Sequence, residues 1–367
     1  MDPTSQPSAT AEFPCPQCGA KLTFAPGTGG MACPYCGYTE AIQPTTTGSI
    51  VEHDLRAGIQ HARRLRADQM VQGGREVQCQ GCGARAIVTQ LADHCAFCGS
   101  PRVTPLERQD EVLAPESLLP FAIDPRRATE AFRRWVASRW FAPNDLAKRA
   151  RTQGMDGAYL PFWTYDSQTT TRYTGMRGEY YWVNETYRDE HGRTQTRRVR
   201  KTRWFPAAGV VRVEFDDVLV CATKTLPAKL VQDLEPWDLT ALHPYQPHYL
   251  SGFTAERYTI PLEEGFKIAE QRMVPEIREA IARDIGGDTQ QILDFSVSHA
   301  DTKFKHLLLP LWISSFRYGE KVFRVVVNAR TGQVAGERPW SAIKIALLVL
   351  SIALVLTLGI LAYVNLR

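Results

Sequence analysis

CPQCG (15–19) and CPYCG (33–37), then CQGCG (79–83) and CAFCG (95–99), hold eight of the nine cysteines in this 367-residue chain. Two residues between thiolates allow a tight turn to aim both sulfurs at one point. Two such knuckles complete the tetrahedral Cys₄ shell of a structural Zn²⁺ site. The spacing therefore predicts two zinc ribbons, one built on Cys15, Cys18, Cys33 and Cys36, the other on Cys79, Cys82, Cys95 and Cys98. Neighbouring knuckles share a metal because closing a short loop costs less entropy than closing a long one. A glycine follows the second cysteine of every pair, where the bend calls for a positive φ.

Rival chemistries for these cysteines are weaker. A redox CxxC stands alone near a βαβ pattern, and none is visible. Disulfides need an oxidising compartment, yet Met1–Ala11 is polar and has no apolar run of signal-peptide type. Iron is the remaining competitor, because CPYCGY (33–38) resembles a rubredoxin knuckle. Only 14 and 12 residues separate the knuckles of the two sets, shorter than the rubredoxin spacing, so two structural Zn²⁺ ions are expected. Four thiolates close each shell, leaving no open position for a catalytic water. His94, beside Cys95, reads as an exposed loop residue.

At the other end, IALLVLSIALVLTLGILAYV (345–364) is twenty residues without a charge. At ~1.5 Å per residue it spans ~30 Å, the depth of a bilayer's hydrocarbon layer. A membrane helix is expected over 343–364, with Trp340 and Lys344 at one interface and Tyr363 at the other. Arg338 and Lys344 precede it and Arg367 follows. That bias, with the reducing compartment that zinc thiolates require, predicts a single-pass, tail-anchored protein of the inner membrane with its N-terminus in the cytoplasm.

Between ribbons and anchor the composition is ordinary: 44% apolar, 22% charged and a net charge of +4, which neither demands nor excludes an anionic partner. The expected organisation is a flexible tail (1–12), ribbon 1 (13–43), a linker and helix (44–74), ribbon 2 (75–105), a main domain (111–340) and the anchor. Ser49-Ile-Val-Glu52 has the form of a capping box before an apolar helical stripe from Val51 to Leu65, ended by Gly73-Gly74. Asp124-Pro125 should start another helix, and a long one should run over 262–285 with a kink or break at Pro275. Strands are expected at 159–174, 178–187, 194–205, 209–223, 249–260, 290–300, 304–318 and 321–328. The fold class is α+β: two small Cys₄ ribbons, a mostly antiparallel β-rich domain and one membrane helix. The ribbons should behave as mobile docking modules on a 41–49 linker.

An internal echo is present. Leu160-Pro-Phe-Trp163 and Leu309-Pro-Leu-Trp312 each open a strand that leads to Arg-Tyr and a hairpin, placing the two tryptophans in equivalent core positions. The ribbons, YLPFWTYD (159–166), FKHLLLPLW (304–312) and VNARTGQVAGERPWSAIKI (327–345) together resemble a family of bacterial zinc-ribbon proteins of the transcription-factor-IIB type. Members of that family are sometimes labelled primosomal protein N′ helicase-like. The resemblance implies architecture rather than an activity.

A helicase motor is rejected because no G-x-x-x-x-G-K-[ST] loop exists to cradle phosphates. Neither an H-E-x-x-H nor a G-x-S-x-G motif occurs. Cys221, in an apolar strand, reads as a structural thiol, and His306 as a hydrogen-bonded core residue. Asp216 and Asp217, adjacent on a strand, should point to opposite faces.

One stretch suggests a ligand. RDEHGRTQTRRVRKTR (188–203) is strongly basic, follows Tyr180-Tyr-Trp182 and precedes Trp204-Phe205, with His191-Gly192 suited to a hairpin turn. Arg193, Arg197, Arg198, Arg200, Lys201, Arg203 and Trp204 are its candidate contacts. Basic strands flanked by rings suit single-stranded nucleic acid or anionic lipid headgroups; the alternative is a solvated hairpin. The leading expectation is a non-enzymatic adaptor or scaffold with a protein partner. A membrane-tethered DNA- or RNA-binding protein comes second and an enzyme of unrecognised type third.

Overall fold

The computed structural model describes residues 13–43, 50–62, 75–88, 94–100, 103–105, 113–143, 154–188, 190, 192–318 and 321–365. The expected flexible tail, most of the 41–49 linker, and the end of the first helix at Gly73-Gly74 lie outside them.

Two long antiparallel strands organise the molecule: β9 (Asp156–Arg188) and β13 (Thr289–Tyr318). Their lower halves, AYLPFWTY (158–165) and HLLLPLWI (306–313), are apolar without alternation because both faces are covered. On one face sits ribbon 2, formed by β5 (Arg75–Cys79), β6 (Arg85–Val88) and β7 (Val103–Pro105). Its Val77, Ala84 and Phe97 pack with Leu160, Leu309 and Leu311. On the other sits ribbon 1, a three-stranded sheet of β1 (Thr23–Ala25), β2 (Gly30–Ala32) and β3 (Thr39–Ala41). Leu22, Phe24 and Met31 join Phe121, Tyr159, Tyr249 and Trp312 in one core. Backbone bonds fix both attachments. Phe24 N–H donates to the Ser251 carbonyl at 3.0 Å, and β6 pairs with β12 (Thr254–Glu256), itself parallel to β9. Ribbons free to swing on a linker do not fit this shared core.

The two Leu-Pro-x-Trp units lie side by side, Leu160 opposite Leu309 and Pro161 opposite Leu308. Proline is ordinarily excluded from central strands because it cannot donate to the ladder. Each proline here falls at a seam in the flanking partners. Beside β9 the neighbour changes from β12 at Ala158–Tyr159 to β10 (Thr194–Cys221) at Phe162. Beside β13 it changes from β8 (Ser117–Leu118) at Leu308 to β14 (Lys321–Asn328) at Leu311. Loop amides fill the seams: Ala222 N–H reaches the Pro161 carbonyl at 2.9 Å and Ala329 N–H the Pro310 carbonyl at 3.2 Å. Each tryptophan indole donates to a backbone carbonyl at 3.0 Å, Trp163 to Ile260 and Trp312 to Ile123.

Several expected breaks are absent. The segments 159–174 and 178–187 are one strand; 194–205 and 209–223 merge into β10, which ends at Cys221; and 290–300 and 304–318 merge into β13. The glycines between them are room-makers. A Cβ at Gly175 would stand 2.7 Å from the Gln291 carbonyl oxygen. Pro206 is tolerated because β10 is an edge strand, paired only with β9. The expected 249–260 strand shrinks to the three residues of β12.

α1 (Leu55–Ala62), which follows the two-residue β4 (His53–Asp54), starts later than the capping-box pattern suggests, since Asp54 Oδ1 accepts from Ala57 N–H at 2.8 Å and Val51 is exposed before it. α2 (Pro125–Ala137) starts as read, with Asp124 Oδ1 accepting from Arg127 N–H at 2.8 Å. A short α3 (Ala228–Gln232) and then β11 (His243–Pro244) follow β10. α4 (Leu262–Ile285) runs unbroken through Pro275, burying Ala269, Met273, Ile277 and Ile281 against the upper sheet. A short β15 (Val334–Gly336) pairs with β14 before the C-terminal helix, α5 (Ala342–Asn365).

Candidate metal centres and the projecting arm

The four knuckles share one geometry. In each, the first cysteine's carbonyl accepts the N–H of the glycine four residues on, at 2.8–3.1 Å: Gly19 to Cys15, Gly37 to Cys33, Gly83 to Cys79 and Gly99 to Cys95. Those glycines have φ of 73°, 76°, 77° and 67°, left-handed conformations that a Cβ would strain. The turns bring the sulfurs together. Sγ···Sγ distances are 3.5 Å for Cys15–Cys36 and Cys18–Cys33, 3.6 Å for Cys79–Cys98 and 3.8 Å for Cys82–Cys95. A tetrahedron with metal–sulfur bonds of ~2.3 Å has edges of ~3.8 Å, so both clusters suit two structural metal ions. The electrostatics call for a cation. The hydrogen bond from Cys95 draws the Cys82 thiol down to about 5, while the same bond pushes Cys95 up. The N–H of Cys36 draws Cys33 down to about 6. In each cluster one thiol is drawn down while a neighbour is pushed up, and all four sulfurs could ionise together only beside a cation.

The other candidates resolve into structure. His94 Nε2 lies 3.1 Å from Asp156 Oδ2, away from the sulfurs. Cys221 donates to the Thr223 carbonyl at 3.7 Å, and burial pushes its thiol up to about 12, the opposite of a nucleophile's need. His306 is buried with Nδ1 3.0 Å from the Leu113 carbonyl, so Nδ1 carries the proton, and burial drives the ring down to about 4. The expectation that Asp216 and Asp217 face apart fails because a bulge between Phe215 and Val218 breaks the alternation. Asp216 gathers with Glu52 and Asp166, and Lys305 bridges Asp217 at 2.6 Å and Glu52 at 3.3 Å. The largely buried Lys305 ammonium offsets part of this negative charge through Asp217 and Glu52. Sequence reasoning missed this network because it joins residues far apart in the chain.

The basic stretch forms an arm. Pairing with β13 stops at Gly178–Thr289 and α4 stops at Ile285, while β9 and β10 continue together through Tyr180–Thr202 to Arg188–Thr194. About ten residues per strand project ~34 Å as a bare two-stranded ribbon. Its faces differ. One carries Tyr181, Glu185 and Tyr187 with Arg197, Lys201 and Arg203; Glu185 pairs with Lys201 at 2.8 Å and Arg197 at 3.6 Å. The other carries Tyr180, Trp182 and Arg188 with Arg198, Arg200 and Trp204. The arginines stack on rings, Arg200 4.1 Å from Tyr180 and Arg198 5.0 Å from Trp182. Arg193 is exposed near the turn, away from both sets. The seven predicted contacts therefore divide between two faces and the tip.

At the far end of β9, α5 is tied to the body. Lys344 Nζ donates to the carbonyls of Trp140 at 2.9 Å and Ala142 at 2.8 Å, and Ser341 N–H to Phe141 at 2.8 Å. Ala342–Tyr363 is long and apolar enough to cross a membrane, and none of its apolar stretch is buried.

The chain is similar to YdjG, an uncharacterised protein of Bacillus subtilis (strain 168), 27% identical over 339 residues that cover 91% of this chain and 92% of the relative. No family model matches the chain, and no solved structure matches it.

Proposed function

We propose that the protein is a membrane-anchored zinc-ribbon scaffold that acts by holding a macromolecular partner rather than by catalysis. Zinc is the metal of choice for two closed Cys₄ shells that stabilise the body. The reducing surroundings that eight free thiolates require support a cytoplasmic body on an inner-membrane anchor, N-terminus inside.

The observation that carries the reading is the separation of anchor and arm along β9. The root of α5 lies by β15, whose Gly336 pairs with Val325 beside Ser314, next to the Ile313–Asp156 end of β9. The bare arm begins at Tyr180, ~80 Å of strand contour away. A rigid body that keeps an uncovered ribbon so far from its anchor suits a presenter of a binding surface. Support for a non-catalytic role comes from two titratable groups: Lys305 is tied up in ion pairs with Asp217 and Glu52, and the buried His306 is neutral and hydrogen-bonded.

The test is a photo-crosslinking amino acid in place of Trp182 in the membrane-bound full chain, with metal analysis and protease accessibility in parallel. Discrete adducts, two zinc ions per chain and protection of the N-terminal body in intact cells are expected. Uniform background labelling would overturn the scaffold reading. Iron would overturn the metal assignment, and digestion of the body from outside would overturn the orientation.

A further inference from the structure

Resting on the scaffold reading and taking the arm as its partner surface, we infer that the face formed by Tyr180, Trp182, Arg188, Arg198, Arg200 and Trp204 binds single-stranded nucleic acid. Its rings belong to no core: Trp182 is 54% exposed, Trp204 41% and Tyr180 37%. The arrangement is built. Trp204 lies over Gly178, where a Cβ would come within 2.9 Å of the indole, so the absence of a side chain there makes its seat. Trp182 and Tyr180 follow at the two-residue spacing that puts side chains on one face.

Charge separates the two faces. Glu185 pairs with two cations on the opposite face, whereas no arm position on the face of Trp182 and Trp204 is acidic among the described residues. Arg198 and Arg200 are held against rings, which fixes their planes and leaves guanidinium forks for phosphate oxygens. Forks for phosphates beside exposed rings for unstacked bases are what a single strand requires. A duplex keeps its bases stacked on each other and would leave the rings unused. Headgroups of the anchoring bilayer are disfavoured because the arm stands at the far end of β9 from the membrane helix.

The experiment uses the full chain in nanodiscs of neutral phosphatidylcholine. Fluorescent oligo(dT) and oligo(U), a duplex of equal length, and vesicles containing phosphatidylglycerol are titrated across a salt series. Two charge-matched double variants are compared, Arg198→Gln with Arg200→Gln and Arg197→Gln with Lys201→Gln, together with Trp182→Leu. Single strands should bind with quenching of tryptophan emission. The first double variant should lose about tenfold or more and lower the salt slope by about 1.4, for two phosphate contacts of a single strand. Trp182→Leu should lose affinity at unchanged slope, and the second double variant should stay within about threefold.

Equal losses in the two double variants would reduce the effect to net charge and overturn the inference. So would duplex bound as tightly as single strand, or binding to anionic vesicles alone. Crosslinks from position 182 with no oligonucleotide binding would overturn this inference while leaving the scaffold reading intact, the partner then being a protein.

Discussion

His306 shows how one side chain is committed by its surroundings. Its Nδ1–H is spent on the Leu113 carbonyl, Trp163 lies 4.6 Å from the ring, and burial holds the imidazole neutral down to about 4. An unfolded histidine binds its proton near 6.5. Between those values the unfolded chain holds a proton that the folded chain refuses, so stability rises with pH through this window and is lost as pH falls from about 6.5 toward 4. The full shift corresponds to on the order of 3 kcal/mol. His306→Gln can still donate to Leu113 but cannot titrate. Its melting temperature should therefore decline less than the wild type's between pH 7 and pH 4.5. Parallel declines for the two proteins would show that the acid sensitivity has another source.

At the scale of elements, α4 meets the sheet through a glycine. A Cβ at Gly265 would stand 2.4 Å from Tyr165 Oη and 2.8 Å from Trp163 Cδ1, and that tyrosine hydroxyl already donates to the Leu262 carbonyl at 2.7 Å. Helix propensity alone predicts that Gly265→Ala gains about 1 kcal/mol. The clash predicts the reverse: a net loss of roughly 1–3 kcal/mol, as for other overpacked cores, seen as a lower denaturant midpoint at unchanged m-value. A rise in the midpoint would mean that α4 can shift away at no cost. Such contacts also mark where the sequence was legible. The four knuckles, the 262–285 helix and its apolar stripe, the Asp124 cap and the apolar C-terminal helix are written in local patterns of a few residues. Strand continuity was not, because Gly175, Gly178 and Pro206 carry turn signals that only pairing partners and an edge position override. The alternation rule likewise failed for Asp216 and Asp217, where a bulge with Asp217 at φ 52° regroups the acids around Lys305. The arm was legible as a basic hairpin, but its division into two electrostatically unlike faces emerged from the register.

The two Cys₄ clusters decide how the whole molecule would respond to losing a bound metal. The sequence alone suggests that Cys15→Ser would melt ribbon 1 and spare the rest, since a zinc ribbon is a small module stabilised by its metal. The packing argues otherwise. Leu22, Phe24, Met31 and the buried Cys15 and Cys33 share a core with Tyr159 and Trp312, which lie on the two central strands. Ser251 adds two bonds to the ribbon, accepting from Phe24 N–H at 3.0 Å and donating to the Leu22 carbonyl at 2.7 Å. Freed from its metal, ribbon 1 would expose that face of the sheet, and the apolar strands beneath cannot remain in water unchanged. Cys15→Ser should therefore remove one metal per chain and lower the main unfolding transition itself. A loss of several kcal/mol corresponds to a drop of about 10 °C or more at this size. The near-ultraviolet signal of the aromatic cluster around Trp312 should melt in that same transition. Two separate transitions, with the second at the wild-type temperature, would show that the ribbon detaches as an independent unit. Cys79→Ser makes the matching test from the other face, where Val77 and Phe97 cover Leu160 and Leu309. Equal cooperative losses from opposite faces would establish that the two metal sites brace one central sheet.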